Sequence, residues 1–309
     1  MSLLARVLGK GPSGFGYGST AEDVTEGLSL HGMTMLVTGC NSGLGLETMR
    51  VLAKRGARVI GAARTEAKAK EATAGLQGTF VPVACELSDP GSVKACVANV
   101  ASLEWKLDAI ICNAGIMMLP TLQTAHGYEL QFFTNHIGHF ILVTGLLDRL
   151  SDAGRVVMLS SEGHKTAPKA GIELDNLNGQ RDYGDLKMYG QSKLANLLFA
   201  KELSRRFAGT KRTANAVHPG VIATNLGRHL GPVMQAAFRL ARPLALKTVE
   251  QGAATQVYAA THPSLHDVTG EYLASSNVAT PRQDANDPEL ARKLWDASEK
   301  IAAEVTATS

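Results

Sequence analysis

Two residues in the second half of the chain, Tyr189 and Lys193, could together transfer a proton. They lie four positions apart in the segment MYGQSKLAN, so on a helix both side chains occupy one face and can reach a common ligand. An ammonium group beside a phenol stabilises the phenolate and lowers the pKa of the tyrosine from about 10 towards neutral pH. The pair therefore predicts a general acid/base, although Y-x-x-x-K alone is common on helix surfaces.

Two further polar side chains stand where they could assist such a proton transfer. Ser161 ends the strand-like stretch RVVMLSS, and in a parallel sheet ligands bind at the carboxyl ends of strands. A hydroxyl there can hydrogen-bond a substrate carbonyl as charge builds on its oxygen. Asn135 lies in the otherwise apolar helical stretch FFTNHIGHFIL, where an amide typically satisfies a local backbone break and could also position a water. Without Tyr189 and Lys193, a serine that caps the strand end would be the better interpretation of Ser161.

A glycine-rich turn, TGCNSGLG, predicts a loop that binds a nucleotide. Gly39, Gly43 and Gly45 are spaced G-x-x-x-G-x-G between the apolar run Met33–Val37 and a helical pattern. Backbone N–H groups at the start of that helix, together with the helix dipole, stabilise an anionic pyrophosphate. Gly45 would let the helix pack close to the sheet. Taken alone, the spacing also fits an ordinary turn.

The end of the next predicted strand, RVIGAART, indicates which cofactor this loop would hold. In dinucleotide folds an Asp or Glu about 20 residues past the glycines binds the ribose hydroxyls of NAD. Here Ala63 and Arg64 occupy that place. A guanidinium pairs with a 2′-phosphate and stacks on adenine, whereas a carboxylate repels the phosphate. The sequence therefore favours NADP(H) over NAD(H), with a solvated arginine as the alternative.

These motifs, in this order, resemble the short-chain dehydrogenase/reductase family over about residues 30–275. The family's T-G-x-x-x-G-x-G matches Thr38–Gly45, its N-N-A-G appears as Cys112–Gly115 with the first Asn replaced, and its P-G appears as Pro219-Gly220. The resemblance implies a catalytic tetrad of Asn135, Ser161, Tyr189 and Lys193. Together with Arg64, the predicted cofactor contacts are Gly39, Asn41, Ser42, Gly43, Leu44, Gly45, Glu86, Leu87, Asn113, Ala114, Gly115, Tyr189, Lys193, Pro219, Gly220, Val221 and Thr224.

Within the family, segments such as TNHIGHFILVTGLL resemble the branch that holds retinol dehydrogenases, the WW-domain oxidoreductase and light-dependent protochlorophyllide reductase. The resemblance implies an alcohol dehydrogenase or carbonyl reductase, in which a hydride passes between the nicotinamide and a carbonyl or alcohol. Tyr189 would supply or remove the proton, and Lys193 would hold the nicotinamide ribose and lower the pKa of Tyr189. Ser161 would polarise the carbonyl, and Asn135 would hold a water that relays protons.

Three variable segments would form the substrate pocket. A lid of about residues 222–247 follows the sixth predicted strand and is largely apolar. The predicted pocket residues are Met117, His164, Leu226 and Met234. An apolar lid favours a hydrophobic small molecule over a sugar, although any one of its side chains could belong to the core instead.

The elements that must position these residues follow from the hydrophobic pattern. Short β-branched runs, near 33–38, 57–62, 79–84, 108–112, 154–160, 212–217 and 271–274, predict about seven strands. Helical patterns alternate with them near 43–55, 65–75, 90–102, 124–149, 189–206, 249–261 and 287–304. We therefore expect one doubly wound, Rossmann-type α/β domain over residues 31–309, with a parallel sheet covered by helices on both faces. Residues 1–30 form a Gly/Ser-containing N-terminal arm in this prediction.

Composition disfavours several other classes of protein. The chain has 309 residues, and its formal net charge of +3 includes no long basic run, so nucleic-acid binding is not expected. The four cysteines at positions 40, 85, 96 and 112 lack metal-site spacing and are expected to be free thiols. No secretory signal and no transmembrane segment is predicted. We expect a soluble cytoplasmic protein, with peripheral membrane association left open.

Two other functions also fit the sequence. A catalytically weak, NADPH-binding redox sensor would share the glycine loop. The N-terminal arm resembles that of chloroplast-envelope reductases linked to the protein-import translocon, which suggests a regulatory partner of a membrane-associated complex. Many relatives pair through the helices predicted near 124–149 and 189–206, so a homodimer is a further expectation left open.

Overall fold

The fold is built on a sheet of mostly parallel strands, seen in the computed structural model, which describes residues 9–222 and 246–307. The strands are β1 (Thr34–Thr38), β2 (Arg58–Ala63), β3 (Thr79–Ala84), β4 (Leu107–Cys112), β5 (Thr124–Ala125), β6 (Tyr128–Glu129), β7 (Leu150–Leu159), β8 (Thr213–His218), β9 (Tyr272–Ala274) and β10 (Asn277–Val278). Eight of them form the central sheet in the order β10-β9-β8-β7-β4-β1-β2-β3. The seven predicted strands are confirmed and pair in parallel, and β10 adds a short antiparallel edge.

Helices cover both faces of this sheet, as the doubly wound prediction requires. They are α1 (Gly43–Lys54), α2 (Glu66–Thr73), α3 (Pro90–Ala101), α4 (the consecutive segments Leu130–Phe132, Phe133–Ile137 and Gly138–Leu146), α5 (Asp185–Arg206), α6 (Val249–Thr261) and α7 (Pro288–Ala307). Side chains of α3, α4, α5 and α7 build one hydrophobic core, and those of α1, α2 and α6 build the other. Side chains of successive strand residues point to opposite faces of the sheet. Leu36 therefore packs in the core formed with α3, α4, α5 and α7, whereas Met35 and Val37 pack in the core formed with α1, α2 and α6.

The helix predicted near 124–149 is wrong at its start, because α4 begins at Leu130. The preceding residues form the separate hairpin of β5 and β6. His126 and Gly127 have φ angles of 51° and 83°, and two successive positive φ angles are what a two-residue type I′ hairpin turn needs. A turn of two residues is too short to be detected from the spacing of hydrophobic residues.

Much of the predicted N-terminal arm is packed against the domain. A loop at residues 10–16 closes around Asn277, whose Oδ1 accepts from Ser13 N–H at 3.0 Å and whose Nδ2 donates to the Phe15 carbonyl at 3.1 Å. Gly16 has to lack a side chain here, because an added Cβ would lie 2.1 Å from the backbone carbonyl oxygen of Gly9. Further along, Val24 is buried in the core on the α1 side of the sheet. The glycines of this segment therefore shape a specific loop.

Neither a group of metal-ligating side chains nor a membrane-spanning helix is found within the described residues. All four cysteines are buried and unbridged. Within residues 9–222 and 246–307, no three His, Cys, Asp or Glu side chains are grouped so that they could hold a metal ion. In the same ranges, no helix has both the length and the hydrophobicity to cross a bilayer.

Three histidines, the buried His136 and His139 and the half-buried His218, should make the fold sensitive to mild acid. Burial lowers the pKa of His136 from 6.5 to about 3, and it lowers the pKa values of His139 and His218 to about 4. Because these values lie below those of the unfolded chain, unfolding takes up protons as the pH falls from about 6.5 to about 4, and to about 3 for His136. The stabilisation is fully present above this window and is lost as the pH falls through it. Urea unfolding midpoints measured at about pH 7.5 and pH 5 should therefore differ, the lower midpoint being the acidic one.

Single substitutions test whether the pH dependence of the unfolding midpoint comes from the buried histidines. A His136→Gln variant should show a shallower pH dependence of its unfolding midpoint than the parent. His266→Gln, which replaces a side chain that is 72% exposed, is the surface control for this experiment. The pKa of the Glu22 carboxyl is lowered from 4.5 to about 2 by Lys54 and Arg50, so its stabilisation is lost mainly as the pH falls below about 4.5, under the pH 5 of the acidic measurement. Equal midpoints at both pH values in the parent protein would contradict the prediction.

Candidate active site

Helix α5 brings Tyr189 and Lys193 to the carboxyl end of β7. The two side chains are 9% and 5% exposed, and Lys193 Nζ lies 5.7 Å from the centroid of the Tyr189 ring. Lys193 Nζ donates to the carbonyl of Leu159, the last residue of β7, at 3.1 Å. Tyr189 and Ser161, which follows the same strand, both border Gly163: a Cβ added there would lie 2.7 Å from Tyr189 Cε1 and 3.4 Å from Ser161 Oγ. Three of the four predicted catalytic residues are therefore in one place.

Burial controls the protonation of this pair. It raises the pKa of Tyr189 above its ordinary value, a shift that the hydrogen bond with Ser161 partly opposes. It also lowers the pKa of Lys193 to about 8, because a buried ammonium group loses its hydration. The lowering of the Tyr189 pKa that we expected from Lys193 is thus not seen in this structure. Tyr189 stands as a protonated phenol at neutral pH, which suits a proton donor.

The turn after Ser161 is shaped to fit the tyrosine ring. Ser161 Oγ accepts a hydrogen bond from Gly163 N–H at 3.1 Å. A Cβ added to Gly163 would lie 2.7 Å from Cε1 of Tyr189, so only glycine lets the chain pass this close to the ring. Sequence reasoning missed Gly163, although a glycine two positions after a candidate serine was a visible signal.

Asn135 anchors the chain that follows β4. It is fully buried in the π-helical segment Phe133–Ile137, so the predicted local break in the helix is present. Its Oδ1 accepts from Ile116 N–H at 2.8 Å, and its Nδ2 donates to the Ile116 carbonyl and to Ser192 Oγ, both at 2.9 Å. A Cβ added to Gly115 would lie 3.1 Å from Asn135 Oδ1 and 3.2 Å from Lys193 Nζ. Asn135 therefore joins the other three catalytic candidates, while the water that it was expected to hold stays a prediction.

The glycine loop has the geometry of an anion site. Gly39 and Gly43 have φ angles of 66° and 52°, which other residues rarely adopt. A Cβ on Gly45 would lie 2.1 Å from the Gly39 carbonyl oxygen, so Gly45 allows α1 to pack against the loop itself. Ser42, the N-cap of α1, makes no side-chain capping bond, and the first turn carries no acidic residue. Backbone N–H groups at the start of α1 are therefore available to a phosphate.

A groove of about 1030 Å³ runs from this loop along the strand ends, and its size suits an elongated cofactor. Eleven of the predicted cofactor contacts line it: Gly39, Asn41, Ser42, Gly43, Leu44, Arg64, Glu86, Leu87, Asn113, Ala114 and Gly115. Thr134 and Val249 also line it and were not predicted. Thr134 Oγ1 is buried without a hydrogen-bond partner in the described structure, so a polar group of a bound cofactor would satisfy it. The residues present thus fit a nicotinamide dinucleotide.

Polar contacts hold the far walls of this groove. Glu86 accepts from Ser88 Oγ–H at 2.9 Å, which orients its carboxylate at the end of β3. On α6, Gln256 Nε2 donates to Asn113 Oδ1 at 3.1 Å, which leaves the Asn113 amide nitrogen to donate to the Thr38 carbonyl at 2.8 Å. Gln256 escaped sequence reasoning, although a polar residue on the buried face of a helix was a usable signal. Arg64 is exposed at the end of β2 and forms no ion pair with another described residue.

The Pro219-Gly220 turn follows β8 on the opposite side of the site. Gly220 has a φ angle of 96°, and Val221 is 46% exposed. Lys247 braces this turn: its backbone N–H donates to the Val221 carbonyl at 2.9 Å, and a Cβ on Gly220 would lie 2.6 Å from its Cδ. The other predicted contact of this turn, Thr224, lies outside the described residues.

Of the four predicted substrate-pocket residues, two lie within the described structure. Met117 is half-buried on the segment after β4. His164 is fully buried, and both ring nitrogens are engaged: Nδ1–H donates to the Ser161 carbonyl at 2.6 Å, and Nε2 accepts from Arg282 N–H at 3.1 Å. It therefore supports the Ser161 turn and has no ring nitrogen free for a substrate. Leu226, Met234 and most of the predicted lid lie outside the described residues.

Comparisons with known proteins extend over nearly the whole chain. The family model described as short chain dehydrogenase matches residues 33–234. Short-chain dehydrogenase TIC 32 A, chloroplastic, of Brassica napus is 43% identical, over 97% of this chain and 98% of that protein. Retinol dehydrogenase 14 of Homo sapiens is 38% identical, over 87% of this chain and 86% of the human protein. The crystal structure of an uncharacterized protein from Mycobacterium Paratuberculosis superposes with a TM-score of 0.76 at 34% identity, covering 93% of this chain and 98% of that one.

Proposed function

The chain belongs to the short chain dehydrogenase family, and on this premise we propose that it is an NADP(H)-dependent oxidoreductase that interconverts a carbonyl and an alcohol on a hydrophobic small molecule. The observation that carries the proposal is the meeting of Tyr189, Ser161 and Lys193 at the end of β7. This cluster adjoins Gly115, which lines the groove of the glycine loop. Reduction of a carbonyl by hydride transfer requires a proton donor next to the site that binds the dinucleotide.

In the proposed reaction, each catalytic residue has a separate role. The bound nicotinamide supplies the hydride for reduction or accepts it in oxidation. Tyr189 donates its hydroxyl proton to the carbonyl oxygen as that oxygen becomes an alcohol, and the phenolate left behind is stabilised by the ammonium of Lys193. Ser161 donates a hydrogen bond to the same oxygen while negative charge builds on it. In oxidation Tyr189, as phenolate, takes the alcohol proton.

The preference for NADP(H) rests on Arg64 and is tested by removing it. The guanidinium is exposed at the end of β2, and it lines the groove on the wall next to Glu86. Charge-assisted hydrogen bonds to a 2′-phosphate contribute about 1.5–3 kcal/mol. An Arg64→Ala variant should therefore raise the KM for NADPH by about 10- to 100-fold and leave the KM for NADH nearly unchanged.

Lys293→Ala is the matched control for this experiment. It removes the same charge from an exposed position on α7, where Lys293 pairs with Glu289. The KM for NADPH should not change in this variant. An Arg64→Ala protein with parental KM values for both cofactors would contradict the assignment.

The substrate class is tested with a panel of carbonyl compounds. The segment after β8 is rich in apolar residues. We propose that it forms the substrate pocket together with Met117, which follows β4. Turnover with NADPH should be faster for hydrophobic aldehydes and ketones than for sugars of similar size. Tight NADPH binding without turnover on any compound of the panel would instead support a redox sensor.

A further inference from the structure

A buried histidine on α4 links the backbone of Asn135 to the wall of the cofactor groove. His139 is fully buried, and its ring stands between two polar groups. Its Nδ1 lies 2.9 Å from the carbonyl oxygen of Asn135, and its Nε2 lies 2.9 Å from Oγ1 of Thr38. Thr38 Oγ1 in turn accepts from the backbone N–H of Ala114 at 3.0 Å. These contacts form a chain of three hydrogen bonds from the Asn135 backbone on α4 to Ala114 in the wall of the groove.

The direction of every bond in this chain follows from its first member. A carbonyl oxygen only accepts, so His139 Nδ1 must carry a proton and donate to Asn135. In the neutral ring Nε2 then has only a lone pair, so Thr38 donates its hydroxyl proton to His139. With that proton used, Thr38 Oγ1 accepts from Ala114. The other neutral tautomer would point a lone pair at the Asn135 carbonyl, which is repulsive.

The surroundings keep the ring neutral. Burial and, to a smaller extent, the nearby charge of Lys193 lower the pKa of His139 to about 4, although the hydrogen bond to the Asn135 carbonyl opposes this shift. The chain is therefore intact at neutral pH. A protonated ring would present a second donor to Thr38 and would repel the ammonium that the proposed reaction needs.

We propose that His139 is a positioning residue, which holds Asn135, through Thr38 and Ala114, at a set distance from the cofactor groove. Asn135 in turn fixes Ile116 and contacts the same Gly115 that Lys193 approaches. Loosening the chain would let Gly115 and Lys193 shift against each other at the reacting centre. The inference rests on the proposed function, since it assigns His139 a role in that reaction.

Two pairs of variants test the chain. In His139→Asn the amide nitrogen takes the place of Nδ1 and keeps the bond to the Asn135 carbonyl, whereas in His139→Gln the amide oxygen takes the place of Nε2 and accepts from the Thr38 hydroxyl. Thr38→Val removes the hydroxyl while keeping the shape, and Thr38→Ser retains the hydroxyl. Both His139 variants and Thr38→Val should lower kcat by about 10- to 100-fold, and Thr38→Ser should restore most of it.

His136→Gln separates positioning from stability. His136 is buried on the same helix, but it bonds Ser298 and packs between Phe132 and Phe199 in the core. This control should lose thermal stability without losing kcat. If the His139 and Thr38→Val variants lose no more kcat than His136→Gln at equal loss of melting temperature, the role is only structural and the inference fails.

Two measurements do not depend on the unidentified substrate. Nitrogen NMR of the imidazole should show a proton on Nδ1 of His139 and none on Nε2, and the opposite tautomer would overturn the inference. The Kd for NADPH, measured by fluorescence, should rise in His139→Gln and Thr38→Val relative to His136→Gln. A parent protein that binds NADPH with this tautomer but reduces no carbonyl would refute the proposed function and leave the hydrogen-bond chain standing.

Discussion

A Tyr189→Phe variant is expected to lose carbonyl reduction by about 10²- to 10⁴-fold, which is the usual contribution of general acid catalysis. The substitution removes only the hydroxyl that would donate the proton. The ring still fills its place against Gly163 and beneath Lys193. NADPH affinity and the melting temperature should therefore stay close to those of the parent protein. Steady-state kinetics with saturating NADPH, together with a binding titration, measure both parts of the prediction.

Tyr258→Phe provides the control for this experiment. Its hydroxyl is hydrogen-bonded to Ser264 at 2.8 Å, so the substitution removes a similar bond outside the catalytic cluster. Turnover in this variant should equal that of the parent. If Tyr189→Phe kept more than about a tenth of parental turnover, Tyr189 would not be the acid that the mechanism needs.

The second large effect is expected in Gly45→Ala. The added Cβ would lie 2.1 Å from the Gly39 carbonyl oxygen and 2.6 Å from Asn113 Nδ2, so α1 and the glycine loop would have to move apart. Overpacking of this kind costs about 1–3 kcal/mol of stability. A shift of about 1 Å in a binding loop can lower activity by about 10²-fold. We expect a loss of this size in the affinity for NADPH, measured by titration, together with a lower melting temperature.

Gly184→Ala is the matched control for Gly45→Ala. A Cβ at Gly184 would lie 3.5 Å from the Cβ of Lys187, which is an ordinary contact, and Gly184 precedes α5 with a negative φ angle. Cofactor affinity should be unaffected in this variant. Parental affinity for NADPH in Gly45→Ala would show that the close approach of α1 to the loop is not needed for binding.

The family and the outline of the site were predictable from the sequence because both depend on local signals. Glycines at a fixed spacing predict a turn with positive φ angles, and the four-residue spacing of Tyr189 and Lys193 predicts that both lie on one face of a helix. Seven parallel strands followed from β-branched runs, and retinol dehydrogenases are among the relatives, as the motifs predicted. The order of the motifs then placed these residues at the carboxyl ends of neighbouring strands.

Details of protonation were decided only by the tertiary structure. Spacing predicted that Lys193 lowers the pKa of Tyr189, but the pKa is raised because both groups are buried, and burial depends on every element packed around them. For the same reason His164, a plausible pocket residue by position, is enclosed by backbone groups of Ser161 and Arg282.

By itself, then, the sequence determined which chemical groups this protein has and in which order they meet along a parallel sheet. The tertiary structure decided what each group touches. Thr38 and His139 are 101 positions apart, and Ser13 and Asn277 are 264 apart, yet each pair is hydrogen-bonded. Local patterns report backbone conformation and the buried face of an element, whereas a partner distant in the chain is selected by the packing of the whole fold.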